Sequence, residues 1–329
     1  MIDLVAGKFR LTLTVLEPMV LPAYKGSTFR GGFGSVFRRI CCSQRQLATC
    51  DSCLLATACP YWNIFEPGVV GDSEIYAKFS EIPRPFVIEP PDTTKQNFDP
   101  GDKLEFNLIL VGKALEYLPY FILVYKELGA IGMGKGRARF RLDKVESLYS
   151  TGEREPLLIY DGERVYSQIH RVENPDLING RNPFTRNEGK KRSANYSESK
   201  LTIEFLTMTR LKQAGEFVER PAFSVLIRAL LRRLSALQYF YCDRKMEEDY
   251  QTLVSLAEEV KLIKDNTAWV DWERFSSRQH TRMKLGGLVG TAEYEGCPEI
   301  FRDYLRWGEL LHVGKGATFG LGKYKITKY

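Results

Sequence analysis

The chain has 329 residues, 44% of them hydrophobic and 27% charged, ordinary globular usage that suits two domains of typical size. Its net charge of +6, from 47 basic and 41 acidic residues, is too modest to imply a nucleic-acid partner by itself. No apolar run approaches the roughly 18 residues of a membrane span, and the opening MIDLVAGKFRLTLTVLEP alternates apolar with polar residues, unlike the basic start and apolar middle of a signal peptide. A soluble, cytoplasmic protein with no membrane partner is expected.

GKFRLTLTV reads as a half-buried strand, followed by the loop LEPMVLPAYKGST and a helix beginning near FRGGFGSVFRRI. Five of the seven cysteines then fall close together, at Cys41, Cys42, Cys50, Cys53 and Cys59. In a reducing compartment, C-x2-C-x5-C spacing with a partner upstream reads as a thiolate metal site and not as disulfides. Cys50, Cys53 and Cys59 are the expected ligands, completed by Cys42 or Cys41. Four thiolates suit a structural zinc and also an iron–sulfur cluster, and the cluster shows no open position for a catalytic metal. EIYAKFSEIPRPFVIEPP suggests a hairpin. KLEFNLILVG is a strand, LEYLPYFILVYKELG a helix, GMGKGRA a glycine-rich turn and RFRLDKVE a strand.

The stretch 181–200 is polar and basic and reads as a linker. From Arg181 to Arg244 there are 13 Lys and Arg against 6 Asp and Glu, a local net of +7 that suits either a phosphate backbone or a solvated surface. SKLTIEFLTMT is an alternating strand, LKQAGEFVERP a loop, and AFSVLIRALLRRLSALQYFY a helix with apolar residues at three- and four-residue spacing. TRMKLGGLVGTAEYEG reads as a strand, PEIFRDYLRWGELL as a helix, HVGKGATFGLG as a second glycine-rich turn and KYKIT as a final strand. Cys242 and Cys297 stand alone and are expected in the core.

The two halves therefore repeat one another. Both first helices carry a double arginine, Arg38 and Arg39, then Arg232 and Arg233, and both halves end helix, glycine loop, strand. Each reads β-α-β-β-α-β, the ferredoxin-like arrangement with two helices on one face of a four-stranded sheet. The expected fold class is α+β: tandem ferredoxin-like, RAMP- or RRM-like domains at 1–148 and 200–329, joined by a connecting segment at 149–199, with a cysteine-rich metal-binding insertion in the first. The glycine loops follow a helix and precede a strand, which excludes a Rossmann fingerprint, and neither contains the GxxxxGK[ST] of a P-loop. Glycine-loop amides can approach a phosphate closely, and Lys135 and Arg137, with Gly134, and Lys315 and Lys323 stand in or beside the two loops.

GSTFRGGFG, RQHTRMKLGGLVG, TMTRLK and above all HVGKGATFGLGKYKI resemble the CRISPR-associated RAMP superfamily, specifically the repeat-RNA (pre-crRNA) processing endoribonucleases of the Cas-six family. The resemblance spans most of the chain, although Met208 stands where the family leads one to expect a proline. It implies CRISPR repeat RNA as partner, together with other CRISPR effector or adaptation proteins. It also implies metal-independent cleavage, in which a ribose 2′-hydroxyl attacks the adjacent phosphorus and leaves a 2′,3′-cyclic phosphate and a 5′-hydroxyl.

That chemistry needs a base, cations for the developing charge and an acid for the leaving oxygen. Many family members carry a histidine near the first helix, where this chain has none. His312, before the terminal loop, is the first catalytic candidate, with a helix-capping role as the alternative. Tyr24, Lys25 and Arg30 are the other candidates, suited to orienting the hydroxyl and stabilising a phosphorane. Arg210, Arg278, Gln279 and His280 are candidate RNA contacts, with Gly314, Lys315, Gly316, Gly320 and Gly322 of the terminal loop. The missing histidine keeps open a RAMP-type subunit of an effector complex that holds RNA without cutting it. A two-domain RNA-binding protein outside CRISPR systems is the third reading, though the aromatic RNP1 pattern is not visible.

Overall fold

The computed structural model describes residues 2–47, 49–68, 81–148, 155–166, 168–173, 200–276 and 281–328. In the first half the order is β1 (Ala6–Val15), β2 (Met19–Val20), α1 (Gly26–Cys41), α2 (Pro60–Ile64), β3 (Phe86–Glu89), β4 (Asn97–Phe98), β5 (Lys103–Val111), α3 (Leu118–Ile131), β6 (Phe140–Leu148) and β7 (Leu157–Tyr160). The second half runs β8 (Lys200–Thr209), β9 (Lys212–Gln213), β10 (Glu216–Phe217), α4 (Phe223–Cys242), α5 (Tyr250–Glu258), β11 (Lys261–Val270), β12 (Glu273–Ser276), β13 (Thr281–Lys284), β14 (Gly287–Glu295), α6 (Arg302–Leu311) and β15 (Tyr324–Lys328).

All strand pairs are antiparallel in two main sheets, ordered β3-β5-β1-β6-β7 and β11-β14-β8-β15. Counting only the strands that alternate with the two long helices of each half, both sheets place second beside third, third beside first and first beside fourth. The internal repeat is thus a repeat of topology.

Alternation explains the first sheet. Phe9, Leu11, Leu13 and Val15 of β1 and Leu104, Phe106, Leu108 and Leu110 of β5 point to one core, under α1 and α3. On α1, Phe29, Phe33, Val36 and Phe37 make the buried stripe, and Phe33 stacks on Phe121 of α3 with ring centroids 4.4 Å apart. α3 opens with Pro119 in its first turn and stops at Gly132, whose φ of +92° ends the helix without the clash a side chain would cause.

The second core does not belong to the second half alone. Leu4, Ala6, Val87, Ile109, Val111 and Val172 join it, packed with Leu226, Leu230, Leu234 and Leu237 of α4. One end of the far face of the first sheet is therefore sealed by the second half, and the junction between halves is built there from buried apolar surface. The double arginines serve this scaffold, since Arg38 donates to the Leu47 carbonyl (2.6 Å) and Arg233 to the Leu311 carbonyl at the end of α6 (3.0 Å).

Several elements differ from the sequence reading. The expected strand TRMKLGGLVGTAEYEG is two strands, β13 and β14, interrupted at Leu285 and Gly286. LKQAGEFVERP carries the β9–β10 hairpin. β7 lies within the expected connecting segment but pairs with β6. The proposed hairpin near EIYAKFSEIPRPFVIEPP supplies β3, which pairs with β5; residues 74–80 lie outside the described residues, as does most of the expected linker at 181–200. No helix among the described residues is long and apolar enough to cross a membrane.

Candidate functional site

The terminal loop is closed on itself. α6 ends at His312, with φ +62° and ψ 166°, a region that a side chain strongly disfavours and that persists only where surrounding contacts fix it. Val313 donates its amide to the Gly322 carbonyl (3.0 Å), and Ala317–Phe319 makes one 3-10 turn between them. Gly322, at φ +73°, has no room for a side chain, because a Cβ would lie 1.8 Å from the Val313 oxygen. Gly320 presses against the first half, where a Cβ would lie 2.5 Å from Pro90 Cδ and 2.8 Å from the Ile88 oxygen. Gly314 abuts the Arg210 carbonyl and Gly316 the Leu321 side chain.

The expectation that several loop amides converge on a phosphate meets a competing use. The amides of Lys315, Phe319, Gly320 and Gly322 donate to the carbonyls of Arg210, Gly316, Ala317 and Met208. Close packing within the protein accounts for these glycines. What faces outward is the Lys315 side chain, half exposed and paired with Glu81 at 2.6 Å.

This loop docks on the start of α1, where three catalytic candidates lie. Tyr24 donates its hydroxyl to the Phe319 carbonyl (2.8 Å) and meets Trp272 edge-on at 4.9 Å. Burial, together with the nearby Glu89 carboxylate, pushes its phenol far above the ordinary value, so at neutral pH Tyr24 is a donor and not a base. The Arg30 guanidinium lies over the rings of Phe65 (4.2 Å) and Phe319 (4.9 Å) and joins first half to loop. Lys25 is fully buried, its ammonium donating to the carbonyls of Thr93 (2.6 Å) and Ala23 (3.0 Å), and burial lowers its pKa.

His312 is also fully buried. Its Nε2 lies 3.1 Å from Glu89 Oε1 and its Nδ1 3.1 Å from the Leu321 carbonyl. Burial holds the ring below its ordinary pKa despite the carboxylate. The neutral ring has one N–H, and the Glu89 carboxylate takes it in the stronger, charge-assisted bond. Both nitrogens are thus turned inward, which favours the capping role over direct contact with a 2′-hydroxyl.

Other candidates are distributed around this centre. Arg210 supplies the carbonyl that receives the Lys315 amide, while its guanidinium lies over the Phe217 ring at 4.3 Å. Gly134, Lys135 and Arg137 form the first glycine loop, which packs on β2 through the Lys135 amide and the Val20 carbonyl (3.1 Å). Lys135 and Arg137 are exposed there. Arg278, Gln279 and His280 lie outside the described residues. A polar cleft of about 590 Å³ opens on the far face of the first sheet, with Arg10, Lys95, Lys103 and Lys323 on its walls and Glu89 and Asn107 in its lining.

Cys41 ends α1, Cys42 caps it, Cys50 and Cys53 flank one turn closed by the Cys53 amide and the Cys50 carbonyl (3.0 Å), and Cys59 precedes α2. All are free thiols. Burial and the neighbouring thiols of Cys59 and Cys42 push Cys41 up to about 12. Burial, Glu66 and Cys42 raise Cys50 to about 11. Cys41 is thus within electrostatic reach of Cys59 and Cys42, and Cys50 of Cys42, but among the described residues no group of three or more His, Cys, Asp or Glu converges to hold a metal ion. Cys297 is buried and Cys242 half-buried, both against the second core.

Sequence reasoning missed Glu89. The visible signal was a single charge ending the apolar strand FVIE before two prolines.

Residues 4–176 match the AF_1859_N family of N-terminal domains, and residues 203–324 match CRISPR-associated endoribonuclease Cas6. An uncharacterized protein of Archaeoglobus fulgidus is 27% identical across 97% of this chain and 99% of its own length. Among solved structures, a Thermus thermophilus Cas6 in a product complex superposes with a TM-score of 0.51 at 16% identity, covering 98% of this chain and 99% of that one. A Cas6-RT-Cas1–Cas2 complex gives a TM-score of 0.52 at 12% identity, covering all of this chain and 30% of that one. These structures share the fold.

Proposed function

We propose that this chain, which belongs to the CRISPR-associated Cas6/RAMP family of repeat-RNA processing proteins, binds CRISPR repeat RNA across the junction of its two halves and cuts it. The two halves are read as tandem ferredoxin-like domains. The supporting observation is the docking of the terminal glycine loop on the start of α1, which gathers Tyr24, Arg30 and Phe319 beside the exposed Lys315.

In this reading the 2′-oxygen forms a bond to the adjacent phosphorus, the bond from phosphorus to the 5′-oxygen breaks, and protons leave the first oxygen and reach the second. The products are a 2′,3′-cyclic phosphate and a 5′-hydroxyl. Tyr24 and Arg30 orient and stabilise, since neither supplies a base at neutral pH, and Lys315, Lys323 and Arg210 add cations along the backbone. Lys25 and His312 act from beneath the surface, by fixing the helix start and the loop. CRISPR adaptation proteins are proposed as further partners. The cysteine segment is proposed to hold a structural zinc, or alternatively an iron–sulfur cluster, on thiolates drawn from Cys41, Cys42, Cys50, Cys53 and Cys59.

Incubating the purified protein with a repeat transcript in EDTA tests the reading. One cut per repeat is expected, abolished by a deoxyribose before the cut while binding persists. Saturated but uncut RNA favours the second reading, a RAMP-type subunit that holds guide RNA, which the inward-turned His312 supports. Cleavage of the deoxy substrate refutes 2′-hydroxyl attack.

A further inference from the structure

Glu89 ends β3 with a carboxylate whose side chain is only 4% exposed. Its two oxygens divide between the halves of the molecule. Oε2 receives Lys8 Nζ at 3.0 Å and Asn107 Nδ2 at 2.9 Å, both from the first sheet. Oε1 receives His312 Nε2 at 3.1 Å and Lys323 Nζ at 3.2 Å, both from the second half. His312 is the residue by which the chain enters the terminal loop, and Lys323 the one by which it leaves.

Although burial alone would raise its pKa, Lys8, the His312 hydrogen bond and Lys323 hold this carboxyl well below the usual range, so the anion persists at neutral pH. The residues on either side of Glu89 continue the contact, because the Ile88 carbonyl and the Pro90 ring are the surfaces on which Gly320 rests. At the adjacent residue, the Phe319 carbonyl takes the Tyr24 hydroxyl and the Phe319 ring faces Arg30. Shifting the base of the loop would shift Phe319, and with it both side chains that the cleavage reading uses to orient RNA.

We infer that Glu89 is the positioning residue of this site: anchored to the first sheet by one oxygen, it grips both ends of the terminal loop with the other and sets Phe319 against Tyr24 and Arg30. The backbone of His312 fits this role. A strained φ and ψ at a residue whose ring donates to Glu89 and lies against the Leu321 carbonyl is what a geometry fixed by its contacts looks like. Glu89 acts through the loop and not on RNA, and its effect on cleavage rests on the function proposed above, whereas its effect on the loop does not.

Glu89→Gln keeps the shape but cannot neutralise two ammonium groups, and Asn107→Leu removes one first-half anchor without touching the loop. Hydrogen exchange of the 313–322 peptide, the melting temperature, the affinity for a repeat RNA and the single-turnover rate at saturating RNA are measured on both. Glu89→Gln is expected to speed exchange of the loop amides about tenfold and to slow cleavage about tenfold or more, with affinity held within about threefold. Asn107→Leu should show the same pattern at about threefold. In loop exchange, Glu89→Gln combined with Lys323→Gln should be little worse than Glu89→Gln alone, since both remove the same contact. Unchanged loop exchange in a folded Glu89→Gln protein overturns the inference, as does a rate and affinity that fall together. Should Glu89→Gln not fold, unchanged exchange and rate in Asn107→Leu overturn it as well. A wild-type protein that binds and cuts no repeat RNA counts against the proposed function, while loop exchange still decides the role of Glu89.

Discussion

The same substitution placed twice on α1, five residues apart, should have opposite signs. Gly26, the first residue of the helix, is buried against the terminal loop, and a Cβ there would lie 1.9 Å from the Phe319 oxygen and 2.8 Å from the Tyr24 ring. The oxygen is the one that accepts the Tyr24 hydroxyl, so Gly26→Ala must push helix and loop apart by more than an ångström and stretch that bond. Overpacking of this kind costs about 1–3 kcal/mol and the hydrogen bond about 0.5–1.5 kcal/mol, which together give roughly 1.5–4.5 kcal/mol. Gly31 is exposed on the same helix with nothing within 4 Å of its would-be Cβ. Gly31→Ala should therefore stabilise by about 0.5–1 kcal/mol through helix propensity alone. Urea unfolding measures both, and the cleavage assay should show a marked loss for Gly26→Ala and none for Gly31→Ala. Wild-type stability and rate in Gly26→Ala would refute the docking of the loop on α1 as the basis of the site.

Lys315→Ala should weaken binding of repeat-like RNAs about uniformly and lower the salt dependence by about one counterion, whereas Glu81→Gln, which frees Lys315 from its partner, should strengthen binding; an unaltered salt slope would count against a phosphate grip. Glu89 and His312 are both held below their ordinary values, so their contribution to stability is present above the unfolded pKa of each and is lost as pH falls through the folded value. Unfolding free energy should accordingly decline from about pH 6.5 downward, with a flatter acid limb in Glu89→Gln, and a stability unchanged between pH 7 and 4 would contradict the assignment. Elemental analysis and an absorption spectrum should find one metal per chain, colourless with zinc or brown with an iron–sulfur cluster, and Cys53→Ser should mainly destabilise the first half; metal at background would sink the proposal.

How much of this was legible depended on what covers each element. β1 and β5 show their period because one face meets α1 and α3, and α1 and α4 show theirs because each buries a stripe. β11 showed nothing, since its residues are exposed or half-exposed along its whole length and no cover imposes alternation. The interruption at Leu285 and Gly286 was invisible because apolar residues continue through it. Tyr24 and Arg30 could be named from their place before and on α1, but Trp272, which meets Tyr24 edge-on, comes from the turn after β11 in the other half and carries no local signal.

The glycines of the terminal loop were legible as a pattern and misleading as to cause. Glycine marks any place where backbone comes close, and a sequence cannot tell whether the approaching group is a phosphate or another stretch of the same chain. Here Val313, Ile88, Pro90 and Arg210 are the approaching groups, so the loop is shaped by its own backbone, by Arg210 of the second half and by its seat on the first half. The histidine beside it follows the same logic. A histidine ahead of a glycine loop reads as a catalyst only until its two nitrogens are traced, and both lead inward, one to the loop's own Leu321 and one to Glu89. With the histidine committed to holding the loop and the Tyr24 phenol far from ionising, the proposed function asks of the described residues that Tyr24, Arg30 and the surrounding cations hold the phosphate, and hence that the loop be kept in place.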